Sequence, residues 1–113
     1  MGTNYYLVEN RPTVHAPLHI GKSSFGWKFC FHAYDEWESW PWEEELHTFG
    51  EWKDFIEKKV STGECIIMNE YDNEVSARRL FELITEEQKN DNPDNFKYSE
   101  NIGGYRFESG EWM

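Results

Sequence analysis

The chain of 113 residues carries 22 Asp and Glu against 11 Lys and Arg, a net charge of -11, and 18% of it is aromatic. The length points to one domain, and the aromatic content excludes an acidic disordered chain. No apolar run is long enough to span a bilayer, and the acid excess disfavours nonspecific phosphate-backbone binding, which needs clustered Lys and Arg. Residues 1–6, Met-Gly-Thr-Asn-Tyr-Tyr, have neither a basic region nor an apolar core, so no secretory signal is expected and the cytoplasm is the expected compartment.

Residues 4–9 (Asn-Tyr-Tyr-Leu-Val-Glu) are rich in β-formers and predict a short strand. Pro12 and Pro17 make residues 11–17 a loop. Residues 18–24 predict a short extended piece that ends in a Gly-Lys-Ser-Ser turn. Residues 25–34 give the clearest strand pattern, because Phe25, Trp27, Phe29 and Phe31 alternate with Gly26, Lys28, Cys30 and His32. That aromatic face belongs in the core, with Ile66, Phe55 and Leu80 as expected neighbours.

Residues 35–47 show no clean period, and Pro41 interrupts any helix across them, so an irregular loop is expected. Thr48 and Glu51 have the spacing of a capping box, and Trp52, Phe55, Ile56 and Lys59 follow at helical spacing. Residues 64–69 predict a buried strand, and Asp72 and Asn73 a turn. Ser76 caps a second helix with an apolar stripe of Leu80, Phe81, Leu83 and Ile84, preceded by Val75. Residues 90–95 are loop, and residues 105–108 are a last short strand. The fold class is therefore α+β: a small single domain over 1–113, with a short, mostly antiparallel sheet and two helices.

The two cysteines, Cys30 and Cys65, lie in apolar runs and read as buried reduced thiols, not as a disulfide framework. Charge is distributed unevenly. Residues 1–34 hold a single acid, Glu9, against Arg11, Lys22 and Lys28, a net of +2, and the remainder carries -13.

Gly21-Lys22-Ser23 has the closing residues of a phosphate-binding loop, but Ala16 stands where its first glycine is required and a strand follows instead of a helix. What survives is a small anion or ligand site made by His19, Gly21, Lys22, Ser23 and Ser24. His15 and His19 are four apart, a zinc spacing on a helix, but Pro17 between them opposes that helix. Nucleophile motifs and dinucleotide fingerprints are absent, and carboxylates are too abundant for any pair to be singled out as acid and base. No catalytic residue, metal or cofactor is therefore assigned, and an enzyme is the minority reading.

The blocks Met1-Gly2-Thr3-Asn4-Tyr5-Tyr6, Leu18-His19-Ile20-Gly21-Lys22-Ser23-Ser24 and Gly26-Trp27 resemble those of a family of small phage- and prophage-encoded proteins. Asn69-Glu70-Tyr71-Asp72 and Phe107-Glu108-Ser109-Gly110-Glu111 are also similar. The resemblance implies a small phage-type accessory protein. Relatives carry a Cys-x-x-Cys knuckle just before the Leu-His-Ile-Gly block, whereas residues 11–17 contain no cysteine.

The strongest candidate site is the segment in which Trp37, Trp40 and Trp42 stand among Asp35, Glu36, Glu38, Glu43, Glu44 and Glu45. One reading makes these Trp core caps and the acids a solvated loop. The other makes a binding surface, because Trp is enriched among interface hot spots and clustered acids steer a basic partner. Base stacking on the same rings would need cationic neighbours, so direct nucleic-acid binding is disfavoured. The sequence thus predicts a non-enzymatic protein that binds a basic surface of a host protein, as a nucleic-acid mimic or inhibitor. Trp37, Trp40, Trp42, Glu43, Glu44 and Glu45 would be its contacts. The alternative is a nucleotide- or phosphate-binding protein using residues 21–24.

Overall fold

The computed structural model describes residues 2–12, 16–24, 28–39, 42–89, 99–102 and 105–108. The elements run β1 (Gly2–Glu9), β2 (Leu18–Ser24), β3 (Cys30–His32), α1 (Phe49–Ser61), β4 (Cys65–Asn69), β5 (Glu74–Val75), α2 (Ala77–Glu87), β6 (Ser99–Ile102) and β7 (Tyr105–Glu108). They form one seven-stranded sheet in the order β5-β4-β1-β2-β3-β7-β6. Every pairing is antiparallel except β3 with β7. The α+β class with two helices and a mostly antiparallel sheet is therefore what the chain adopts.

Cross-strand partners share a face, so the register assigns each side chain to one side of the sheet. Leu7 pairs with Leu18 and Ile67, Gly21 with Phe31, and Phe31 with Phe107. These residues line the face covered by the helices, where Trp52, Phe55 and Ile56 of α1 and Leu80 and Ile84 of α2 complete the core. Phe31 is the hub: its ring lies edge-on to Phe29 at 4.8 Å and stacked on Phe107 at 5.1 Å. Such ring pairs add to plain area burial. The Trp52 indole also donates to the His32 carbonyl at 2.9 Å, which ties α1 to β3.

Both helices start as their sequences dictate. Thr48 and Glu51 close a reciprocal capping box, and Ser76 Oγ accepts from the Arg79 amide. Each cap satisfies backbone N–H groups that the helix itself leaves without partners.

Several sequence expectations are corrected. Residues 21–24 are not a turn but the second half of β2, held by β1 on one side and, at Gly21 and Lys22, by β3 on the other. Ile66 faces away from Phe29, because it pairs with Val8 while its neighbour Ile67 pairs with Leu7 in the core. Val75, expected to extend the stripe of α2 from the position before its cap, instead returns from the Asp72 turn in β5 and pairs with Ile67. Within the ten-residue strand expected over 25–34, Cys30–His32 forms β3 and Tyr34 an isolated bridge with Leu46, while residues 25–27 lie outside the described residues. The core role of Phe29, Phe31, Phe55 and Leu80 holds, and both cysteines are buried thiols outside any disulfide. Burial pushes the Cys65 thiol up to about 11, so it stays protonated and unreactive.

Candidate functional site

Residues 35–39 lead away from the end of β3, and residues 42–46 lead back to Tyr34 just beyond it. The excursion is closed by a bridge in which Tyr34 and Leu46 exchange backbone hydrogen bonds of 3.1 and 2.9 Å. Leu46 is buried in the core and pins the return. Inside the excursion Ser39 is fully buried, and its Oγ accepts from the Glu44 amide at 2.6 Å while lying 2.6 Å from the Glu44 carbonyl. One hydroxyl therefore joins the outgoing and returning arms.

The turn at 36–39 is braced from below. The Glu38 and Ser39 amides both donate to the Asp35 carbonyl, and the Asp35 amide donates to Glu38 Oε1 at 2.9 Å. Asp35 Oδ1 lies 2.7 Å from His47 Nε2, which links the turn to the start of α1. On this braced turn Trp37 is 76% exposed. Large exposed apolar residues on a preorganised turn lose little conformational entropy on binding.

Trp42 takes the other role open to it. Its ring packs edge-on to Phe55 at 6.0 Å, and its indole N–H donates to Glu64 at 3.2 Å. Lys59 reaches the same carboxylate at 2.9 Å, and these two donors hold the Glu64 carboxyl below its usual range. Trp42 is thus a half-buried cap over α1. Trp40, the third predicted contact, lies outside the described residues.

Glu43, Glu44 and Glu45 are all exposed on the returning arm. They line a groove of about 520 Å³ between the loop and α1, together with Glu36, Glu51 and Asp54. Leu46 and Phe55 supply apolar floor, and Lys58 is the one cation among the described residues of its lining. Sequence reading missed the contribution of α1 to this site. Glu51 and Asp54 are three apart, which places them on one helix face, but only the fold brings that face to the loop. Glu43 sits at φ 54°, in the left-handed region that a non-glycine residue occupies at a cost of roughly 1–2 kcal/mol.

The second predicted set does not converge on an anion. Ser23 projects to the helix side and reaches Glu87. Lys22 pairs with Asn4 and Cys30, whose face is the opposite one. Gly21 is there for packing: a methyl at its Cα would collide with the Cys30 carbonyl oxygen and the Phe29 ring. His19 joins a different cluster on the helix-free face. Its Nε2 lies 2.8 Å from Asn4 Oδ1, and Asn4 Nδ2 donates to Glu70 at 3.2 Å. A carboxylate only accepts, so this bond fixes the Asn4 amide and makes His19 Nε2 the donor. The His19 ring stacks on Tyr6 at 5.0 Å and tilts toward His32 at 5.6 Å. Burial, helped by the charge of His19, pushes His32 down to about 4, so it is neutral at pH 7. Burial pushes the Tyr34 hydroxyl, which accepts from the His19 amide at 2.8 Å, up to about 12.

His15 lies outside the described residues, and among those described no group of three His, Cys, Asp or Glu is placed to hold a metal. Among them also, no helix is long and apolar enough to cross a membrane. The chain matches no family model, no curated protein and no solved structure.

Proposed function

We propose that this protein binds a basic protein surface through the acidic groove and the exposed Trp37, which follows Glu36 of the groove lining in the chain. The observation that carries this reading is the joining of two separate sequence segments. Glu36 and Glu43 to Glu45 come from the loop, Glu51 and Asp54 come from α1, and all six line one groove with an apolar floor. Like charges so gathered repel one another and raise the local potential, which costs stability and accelerates encounter with a cationic partner. The left-handed Glu43 supports the same reading, because strain of this kind clusters at functional sites. The resemblance to phage-encoded proteins makes a host protein the bearer of the basic surface. A surface that ordinarily holds nucleic acid fits best, with groove carboxylates standing in for phosphates. The carboxylates supply steering and specificity, and Trp37 supplies the apolar anchor that charge alone lacks.

The test is kinetic, using a partner isolated from host lysate on the immobilised protein. Glu44→Lys with Glu45→Lys is expected to slow association and to flatten its dependence on salt, since steering acts on the encounter. Trp37→Ala is expected to leave association nearly unchanged and to speed dissociation by roughly 30-fold, the equivalent of about 2 kcal/mol for a hot-spot residue. If both variants, shown to be folded, associate and dissociate at wild-type rates at every salt concentration, the groove is not the interface.

A further inference from the structure

Away from the groove, the last turn of α2 meets β2 through a polar contact between Ser23 and Glu87. Ser23 Oγ and Glu87 Oε2 are 2.5 Å apart. The other carboxylate oxygen, Oε1, is buried with no hydrogen-bond partner. Three features of the fold oppose a negative charge there. Oε1 is removed from water, and a carboxylate oxygen buried without a hydrogen-bond partner disfavours the charged form. Glu87 closes α2, where the helix carbonyls already present partial negative charge. Glu86 adds a like charge from the adjacent position. The nearest cation on the helix does not compensate, because Arg79 is turned to Glu82 and Glu86 at 4.0 and 3.9 Å.

Among the described residues, β1, β2 and α2 supply the groups that meet Glu87, and Lys89 follows it two positions on. β1 contributes Tyr5, whose hydroxyl feels both Glu87 and Arg79, and α2 contributes Arg79 and Glu86. From β2 comes the neutral Ser23. A proton on Oε2 resolves the conflict. The carboxyl O–H then donates to Ser23 Oγ, and Oε1 becomes a neutral carbonyl oxygen that is far cheaper to leave bare than a carboxylate oxygen.

We propose that Glu87 is a protonation-controlled latch that, when neutral, holds the last turn of α2 against β2 and, when ionised, releases it. Desolvation is the main force raising its carboxyl above the ordinary 4.5, with Glu86 assisting and Ser23 opposing. The sign follows from linkage. A carboxyl that binds its proton more tightly folded than unfolded contributes stability that is fully present below 4.5 and is lost as pH rises through the folded midpoint. The latch is independent of the groove, which lies between the loop and the first helix.

The test is a carbon-detected NMR titration of the side-chain carboxyls in the whole protein. The Glu87 signal is expected to titrate above 4.5, with the Ser23 and Ile84 amide signals moving at the same midpoint as the turn lets go. In parallel, thermal unfolding of Glu87→Gln is compared with wild type across the same range. The amide keeps a neutral acceptor in place, so its melting temperature is expected to gain on that of wild type as pH rises. The histidines titrate equally in both proteins and drop out of the difference. A Glu87 midpoint at or below 4.5, or a constant offset between the two melting curves, overturns the latch.

Discussion

At the scale of single residues, two side chains decide the shape of the loop. Ser39 joins its arms through one buried hydroxyl, and Glu43 reverses the returning arm at φ 54°. Neither role is visible in the string of letters, since Ser39 sits among acids and tryptophans with no turn signature. Glu43 makes the more informative variant. Glycine adopts the left-handed region without a Cβ clash but loses more freedom on folding. Glu43→Gly is therefore expected to stabilise the fold by about 0.5–1 kcal/mol in chemical denaturation. It is also expected to weaken partner binding, because a groove carboxylate is lost. A loss of stability of more than about 1 kcal/mol would show that the Glu43 side chain supports the loop instead of straining it.

At the scale of elements, the parts with strong local chemistry were legible and the parts defined by partners were not. Thr48 with Glu51, and Ser76, announce their helices because capping is a contact within one turn. The core strands β1 and β4 carry their own β-formers. By contrast, β5 has two residues and β6 is polar, and each is a strand only through its neighbour. Residues 21–24 misled for a related reason: Gly-Lys-Ser-Ser has turn composition, but the glycine serves close approach between β2 and β3. Gly21→Ala tests that assignment. The added methyl meets a backbone carbonyl and a buried ring, neither of which can move away cheaply, so overpacking of roughly 1–3 kcal/mol is expected in equilibrium unfolding. A variant as stable as wild type would mean that β2 and β3 are farther apart than described. The candidate site was legible in the same partial way. Its loop acids and exposed tryptophan were read from sequence, whereas Glu51 and Asp54 depended on how α1 docks.

At the scale of the whole molecule, charge separates along the chain and within the fold. The neutral-to-basic first third supplies β1 to β3, and the acids concentrate on the loop and helices. A net charge of -11 attracts any polycation weakly over the whole acidic surface, so affinity alone says little about the groove. Location is what distinguishes a site from a diffuse field. The most direct measurement is therefore amide and indole chemical-shift mapping of the whole protein with an oligoarginine peptide, repeated at rising salt. With the groove as the interface, shifts are expected to concentrate on Glu36, Trp37, Glu44, Leu46, Glu51 and Asp54, and the Trp37 indole is expected to be the last signal to revert as salt is raised. Shifts spread evenly over the acids of both helices, or centred on the helix-free face around His19, would contradict it.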